Sequence, residues 1–229
     1  GVPLPGPADS GEDTAICRRL GVPARRPGEL TAMFLANHTP NKGLPILLEA
    51  FSGLNCPYTL IVGGETRPEI DYSLANRKRR SDQRIIVTGR VSDREVEALF
   101  RRSALFVFPT LADTFPLVVL EAMSHGLPVL ASRVGGIPHQ LDQGSGQLVE
   151  PGDVGGLRET ISALAAQPER LRSMGQQAKA RVARHFTWDN AAERAFAEYE
   201  KALAAPSQAR ASAVSAHCLP HTVQRGTRA

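Results

Sequence analysis

The stretch Ala104-Leu105-Phe106-Val107-Phe108-Pro109-Thr110-Leu111-Ala112-Asp113-Thr114-Phe115-Pro116-Leu117-Val118-Val119-Leu120-Glu121-Ala122-Met123-Ser124 decides the reading of the fold. Residues 104–108 are a short, wholly apolar run, the pattern of a strand buried on both faces. A loop follows, and 116–124 reads as a helix. Pro116 suits its first position, where the missing N–H would be unpaired anyway. Leu127–Ala131 is a second apolar run. A strand, a helix and a strand in so short a span predict a parallel pair joined by a helical crossover.

The same alternation continues outward in both directions. Upstream, Thr31–Ala36 reads as a strand, and Leu44, Leu47, Leu48 and Phe51 recur at helical spacing. Tyr58–Val62 is a strand closed by Gly63-Gly64, a polar helical stretch covers 69–80, and Ile85–Val87 is a third strand. Ser92 opens a helix with Glu95 three residues on, the spacing of a reciprocal capping box. Its Val96, Leu99, Phe100 and Ser103 share one face. Downstream come a short strand at 147–149 and helices over 154–166, 168–185 and 188–204. The expected fold class is α/β: a Rossmann-like parallel sheet with flanking helices. Residues 1–26, rich in Pro, Gly and Arg, read as a linker remnant. Residues 27–205 form one domain, and 206–229 read as a disordered tail.

With 229 residues, 42% hydrophobic and 22% charged, the chain has the composition of a globular protein. No apolar run approaches the roughly 18 residues of a membrane span, and no secretory signal opens it. Cys17, Cys56 and Cys218 form neither a zinc spacing nor a disulfide framework. The expected location is therefore the cytoplasm. The net charge is +4, and 23 of the 27 basic residues are arginines. The one dense basic cluster, Arg77-Lys78-Arg79-Arg80, reads first as a solvated helix face. Peripheral contact with the inner membrane face or an acidic partner is the alternative. No aromatics interleave with it, which argues against a nucleic-acid platform.

Parallel sheets bind ligands beyond the carboxyl ends of their strands, so the loops after Ala36, Val62, Val87, Phe108 and Ala131 hold the chemistry. Helix N-termini bind phosphate, and Asp113 stands just ahead of the helix at Pro116. Glu121 is the only ionisable residue in an otherwise apolar helix and must be paired or hydrogen-bonded. One reading has Asp113 capping the helix and Glu121 meeting a core Arg. The other has phosphate at the helix start and ligand hydroxyls on Glu121. Lys42 stands at the start of an amphipathic helix, where the dipole disfavours a cation and a bound anion would relieve the conflict. Gly135-Gly136 allows close backbone approach to a ligand or forms a tight turn.

These residues resemble a known family. From about Phe34 to Ala204 the chain is similar to the C-terminal, donor-binding half of family 4 retaining glycosyltransferases of the GT-B fold. Asn41-Lys42-Gly43-Leu44 and Leu47-Leu48-Glu49-Ala50-Phe51 resemble its "KG…LLEAF" helix, and Val87–Ser92 its "GxV" loop. Asp113 and Glu121 occupy the ends of its Glu-x7-Glu motif. Gly135–Pro138, Gly146–Val149, Pro151–Asp153 and Phe186-Thr187-Trp188 match later stretches in order.

The resemblance implies a metal-independent transfer of sugar from a nucleotide-sugar to an acceptor with retention. It implies no cofactor, and an acceptor-binding N-terminal domain missing from this chain. Lys42, Asp113 and Glu121 would contact the diphosphate, the donor sugar and the ribose. Asn37, Gly89, Arg90, Val91, Thr114, Phe115, Pro116, Leu117 and Val118 would complete the donor site. Four residues depart from the pattern: Asn37 replaces Arg, Asp113 replaces Glu, Pro116 replaces Gly and His139 replaces Glu. The alternatives are a non-catalytic nucleotide-sugar-binding module or truncated remnant, and a sugar-nucleotide epimerase.

Overall fold

A computed structural model describes residues 1–204 except 8, 74–79 and 143. Its frame is one sheet of six strands: β1 (Leu30–Leu35), β2 (Tyr58–Gly63), β3 (Gln83–Gly89), β4 (Leu105–Phe108), β5 (Val129–Ser132) and β6 (Gly146–Val149). Every pair is parallel, and the order is β3-β2-β1-β4-β5-β6. The inner strands β2, β4 and β5 are buried at every residue, which explains their unbroken apolar runs. β3 is an edge strand, so it is only half-buried and Val87 is exposed.

Helices α2 (Leu44–Ser52), α3 (Asp93–Arg102), α4 (Leu117–Ser124), α6 (Val154–Ala165) and α7 (Pro168–His185) cross between or cover the strands, and α5 (Ile137–Gln140) is a single turn. The fully buried Phe34, Phe51, Tyr58, Phe100, Phe106 and Phe108 lie in one core. Pairs such as Phe51–Tyr58 and Phe100–Phe106 meet edge to face. Ser92 and Glu95 make the expected capping box.

The N-terminal region differs from a linker. Residues 10–19 form helix α1 (Ser10–Arg19), N-capped by Asp9, with Ile16 and Cys17 buried. Weak apolar periodicity hides it, because charge does much of the docking. Asp13 accepts from Arg101 Nε (2.6 Å) and Nη2 (3.0 Å), and Arg94 bridges to Glu12 and Glu97. Arg19 reaches Glu95. The hydrogen bond from Arg101 holds the Asp13 carboxyl below its usual range.

Residues 1–188 form one compact unit, and the second begins at Asp189. The described part of the second lies in helix α8 (Trp188–Ala204), none of whose residues is buried. No helix among the described residues is long and apolar enough to cross a membrane. Most of the basic cluster (Arg77–Arg79), much of the 69–80 stretch, Cys218 and the 206–229 tail lie outside the described residues.

Breaking the largely buried Asp13–Arg101 pair should be costly because it removes both hydrogen bonds to the carboxylate and leaves it only Arg94 Nη2 at 3.5 Å. Arg101→Met is expected to lower unfolding free energy at pH 7 by about 1.5–3 kcal/mol, read by urea titration. Asp13 is lowered from 3.8, so its contribution is complete above that value and fades as pH falls through the lowered one. The mutant should lack that part of the acid sensitivity; an unchanged midpoint at pH 7 would show that the Asp13–Arg101 pair does not hold α1.

Candidate functional site

The strand order reverses between β1 and β4, and in such sheets the crevice opens at that point beyond the carboxyl ends. Two loops meet there. After β1, Pro40–Lys42 makes a 3-10 turn and Gly43, at φ 78°, starts α2. Lys42 therefore lies just ahead of the helix rather than in its first turn. Asn41 C=O accepts from the Leu111 N–H (2.7 Å) and from Thr110 Oγ1 (3.0 Å), both on the loop after β4. A Cβ on Gly43 would overlap Pro109 O, so only glycine permits this approach. Across the junction Lys42 Nζ donates to Asp113 Oδ2 at 2.8 Å, with both side chains largely buried. The anion that answers Lys42 is Asp113.

At the start of α4 the structure corrects the sequence reading. Pro116 is the N-cap, with ψ 116°, and not the first helical residue. The first helical positions are Leu117 and Val118, whose N–H groups have no intrahelical acceptor. Asp113 does not cap the helix, since its carboxylate turns to Lys42. Glu121, one turn further along α4, makes no ion pair with any described residue, so the core-arginine reading fails. Burial pushes the Glu121 carboxyl above its ordinary value of 4.5, and the charge of Asp93 adds to the shift.

These groups border a cavity of about 820 Å³. Of the residues expected at a donor site, Asn37, Lys42, Arg90, Val91, Asp113, Pro116, Leu117, Val118 and Glu121 line it. Gly89, Thr114 and Phe115 do not. Thr114 C=O is taken by the Gly136 N–H (2.6 Å), and the half-exposed Phe115 ring faces Phe186. Gly89 ends β3 at φ 71°, and its C=O accepts from the Gly64 N–H.

Sequence reasoning missed part of the wall. Pro3–Gly6, Glu65, Asp93, Glu97, Phe100 and His125 also border the cavity. Pro3–Gly6 are positioned by Val2, which is buried, donates its N–H to Phe186 O (2.8 Å) and pairs with Thr187. No local pattern signals such a long-range bridge. On α3, Val96 and Phe100 were legible as an apolar face, but a packed face and a cavity wall look alike in sequence. His125 Nδ1 lies 3.0 Å from Glu121 O, its Nε2 is buried with no hydrogen-bond partner among the described residues, and burial holds its pKa down.

His38, also unremarked in the sequence, is fully buried at the root of the Lys42 loop. Its Nε2 lies 3.1 Å from Gly63 O and its Nδ1 2.6 Å from Tyr72 Oη. A ring that donates to the carbonyl and accepts from the phenol satisfies both contacts while neutral. Burial lowers its pKa accordingly.

The sequence profile of Glycosyl transferases group 1 matches residues 29–167. The chain belongs to this family. It is 32% identical over 202 residues to a D-inositol 3-phosphate glycosyltransferase of Segniliparus rotundus, covering 84% of this chain and 44% of that one. Sucrose-phosphate synthase from Thermosynechococcus elongatus superposes with a TM-score of 0.68 at 26% identity, over 84% of this chain and 49% of the other. Anabaena HepE, solved with UDP and glucose, superposes at 0.70 with 20% identity, over 85% and 53%. The chain thus spans about half the length of these proteins. The comparisons bear out the α/β, Rossmann-like fold and the broad glycosyltransferase family.

A half-buried carboxylate with no ion pair among the described residues costs stability once ionised. Glu121 is raised, so the cost is absent below pH 4.5 and grows as pH rises above it. Glu121→Gln is therefore expected to melt at the same temperature as the wild type near pH 4 and at a higher one at pH 7, by scanning calorimetry. A core ion pair would give the opposite sign.

Proposed function

We propose that this chain is the donor-binding domain of a retaining glycosyltransferase that moves a sugar from a nucleotide-sugar to an acceptor without a metal. The observation that carries the reading is the Lys42–Asp113 pair. It lies at the switch point, in the cavity that Leu117, Val118 and Glu121 of α4 also line. Lys42 and the N–H groups of Leu117 and Val118 hold the diphosphate. Glu121 accepts from the ribose hydroxyls, residues 89–91 approach the base, and Asp113 meets the donor sugar. When the bond between the sugar and the diphosphate breaks, its electron pair passes to the diphosphate oxygen. Lys42 and the helix terminus stabilise that charge. The complex of HepE with UDP and glucose supports a nucleotide-sugar as ligand. The acceptor and any base come from a facing domain.

A binding module without turnover is the second reading. It is favoured by Asn37, which lines the cavity where the family pattern has Arg and adds no positive charge beside Lys42.

Nucleoside diphosphates should bind this chain equally well with and without EDTA by titration calorimetry. Strict dependence on magnesium, or no binding by folded protein at millimolar nucleotide, would refute the reading. Glu121→Gln should weaken that binding by about 1.5–3 kcal/mol, the scale of a hydrogen bond to a charged group, although it stabilises the free chain. In an enzyme carrying both domains, Lys42→Ala should lower turnover by roughly 10²–10³, the effect of removing one electrostatic stabiliser. Binding with no turnover in that enzyme would favour the module.

A further inference from the structure

The start of α4 has no side chain of its own to fix it. Pro116 has no N–H, and no side chain caps the helix. Helices usually begin on a Ser, Thr, Asp or Asn whose side chain sets the first turn. Here the turn is gripped from outside, by a residue twenty-four positions on. Gln140 is fully buried, and its Nε2 donates to Pro116 O at 2.9 Å. Its Oε1 is buried as well and takes no hydrogen bond from any described residue. A methionine or leucine would fill the same space without an unmet acceptor, so packing alone does not explain an amide there.

The element that carries Gln140 is itself fixed. The Gly136 N–H donates to Thr114 O at 2.6 Å, and a Cβ on Gly135 would overlap Asp113 O. From α7, Arg181 donates through Nε to Gln140 O (2.8 Å), through Nη2 to His139 O (2.9 Å) and through Nη1 to Asp142 Oδ2 (3.0 Å). A rigid turn thus clasps both ends of the 113–116 loop, the glycine pair at Asp113–Thr114 and Gln140 at Pro116.

We propose that Gln140 is a positioning residue that sets the direction of the Leu117 and Val118 N–H groups toward the diphosphate. The proposal rests on the nucleotide-sugar reading above. It acts through the backbone of Pro116, so it bears on the phosphates and not on the ribose or base.

The test compares a nucleoside with its diphosphate by calorimetric titration of the whole chain. In Gln140→Met, diphosphate affinity should fall about five- to tenfold, the order of one lost hydrogen bond, with nucleoside affinity within twofold of wild type. A merely structural role would lower both affinities together, or move only the melting temperature, and either result overturns the proposal. If the wild type binds no nucleoside diphosphate, the nucleotide-sugar reading fails and takes this proposal with it. Wild-type binding with an unchanged Gln140→Met sinks the proposal alone. Should Gln140→Met not fold, Arg181→Met decides: the same split in weaker form supports the proposal, and parallel losses reject it.

Discussion

The close contact between the loop after β1 and the loop after β4 is the constraint on which the site depends. A parallel sheet whose order reverses leaves a gap between the crossovers on its two sides. In this protein the floor of that gap is drawn together by backbone. Asn41 C=O receives two hydrogen bonds from residues 110 and 111, and Gly43 lies against Pro109 O with no room for a side chain. Only with the loops so close can Lys42 reach Asp113, seventy-one residues away, at 2.8 Å.

The electrostatics of the crevice follow from that closeness. Lys42 precedes a helix start, an unfavourable place for a cation, and Asp113 offsets the conflict within the protein. An incoming anion must share Lys42 with that carboxylate. Beside it the first turn of α4 offers backbone N–H groups, a fixed donor set that needs no second cation. Glu121 and Asp93 also border the cavity and repel each other, so their surroundings suit hydrogen-bond donors rather than anions.

The N-terminal residues are part of this arrangement. Val2 is bridged to Thr187, Pro3–Gly6 then line the cavity, and α1 docks on α3 through Asp13 and Arg101. The segment thus runs from the Phe186 end of the unit across the crevice to the outer face of α3. α3 supplies cavity wall through Asp93, Val96, Glu97 and Phe100, and takes α1 through Arg94 and Arg101. Glu97 also accepts from both arginines, so one helix ties the cavity wall to the docking of α1.

The alternation of apolar runs with helical spacing was enough to place all six strands and the main helices, because burial on both faces of a parallel strand leaves an unbroken apolar signature. The sequence also marked Lys42 and Glu121, charged residues where local physics disfavours or isolates one, and Asp113, an acid just ahead of a helix start. It could not show that Lys42 answers Asp113, that Glu121 makes no ion pair among the described residues, or that Pro116 is the N-cap of α4 rather than its first residue. Those facts depend on which loops the strand order brings together. α1 escaped because ion pairs to α3 hold it, and an ion pair between residues 13 and 101 leaves no periodic trace. Pro3–Gly6 and Gln140 escaped for a related reason: a proline-rich strap and a buried glutamine acquire meaning only from the backbone they lie against. Local patterning thus determined the elements and the candidate charges. Tertiary structure alone decided their pairings, because the contacts that set them are long-range and carry no local pattern.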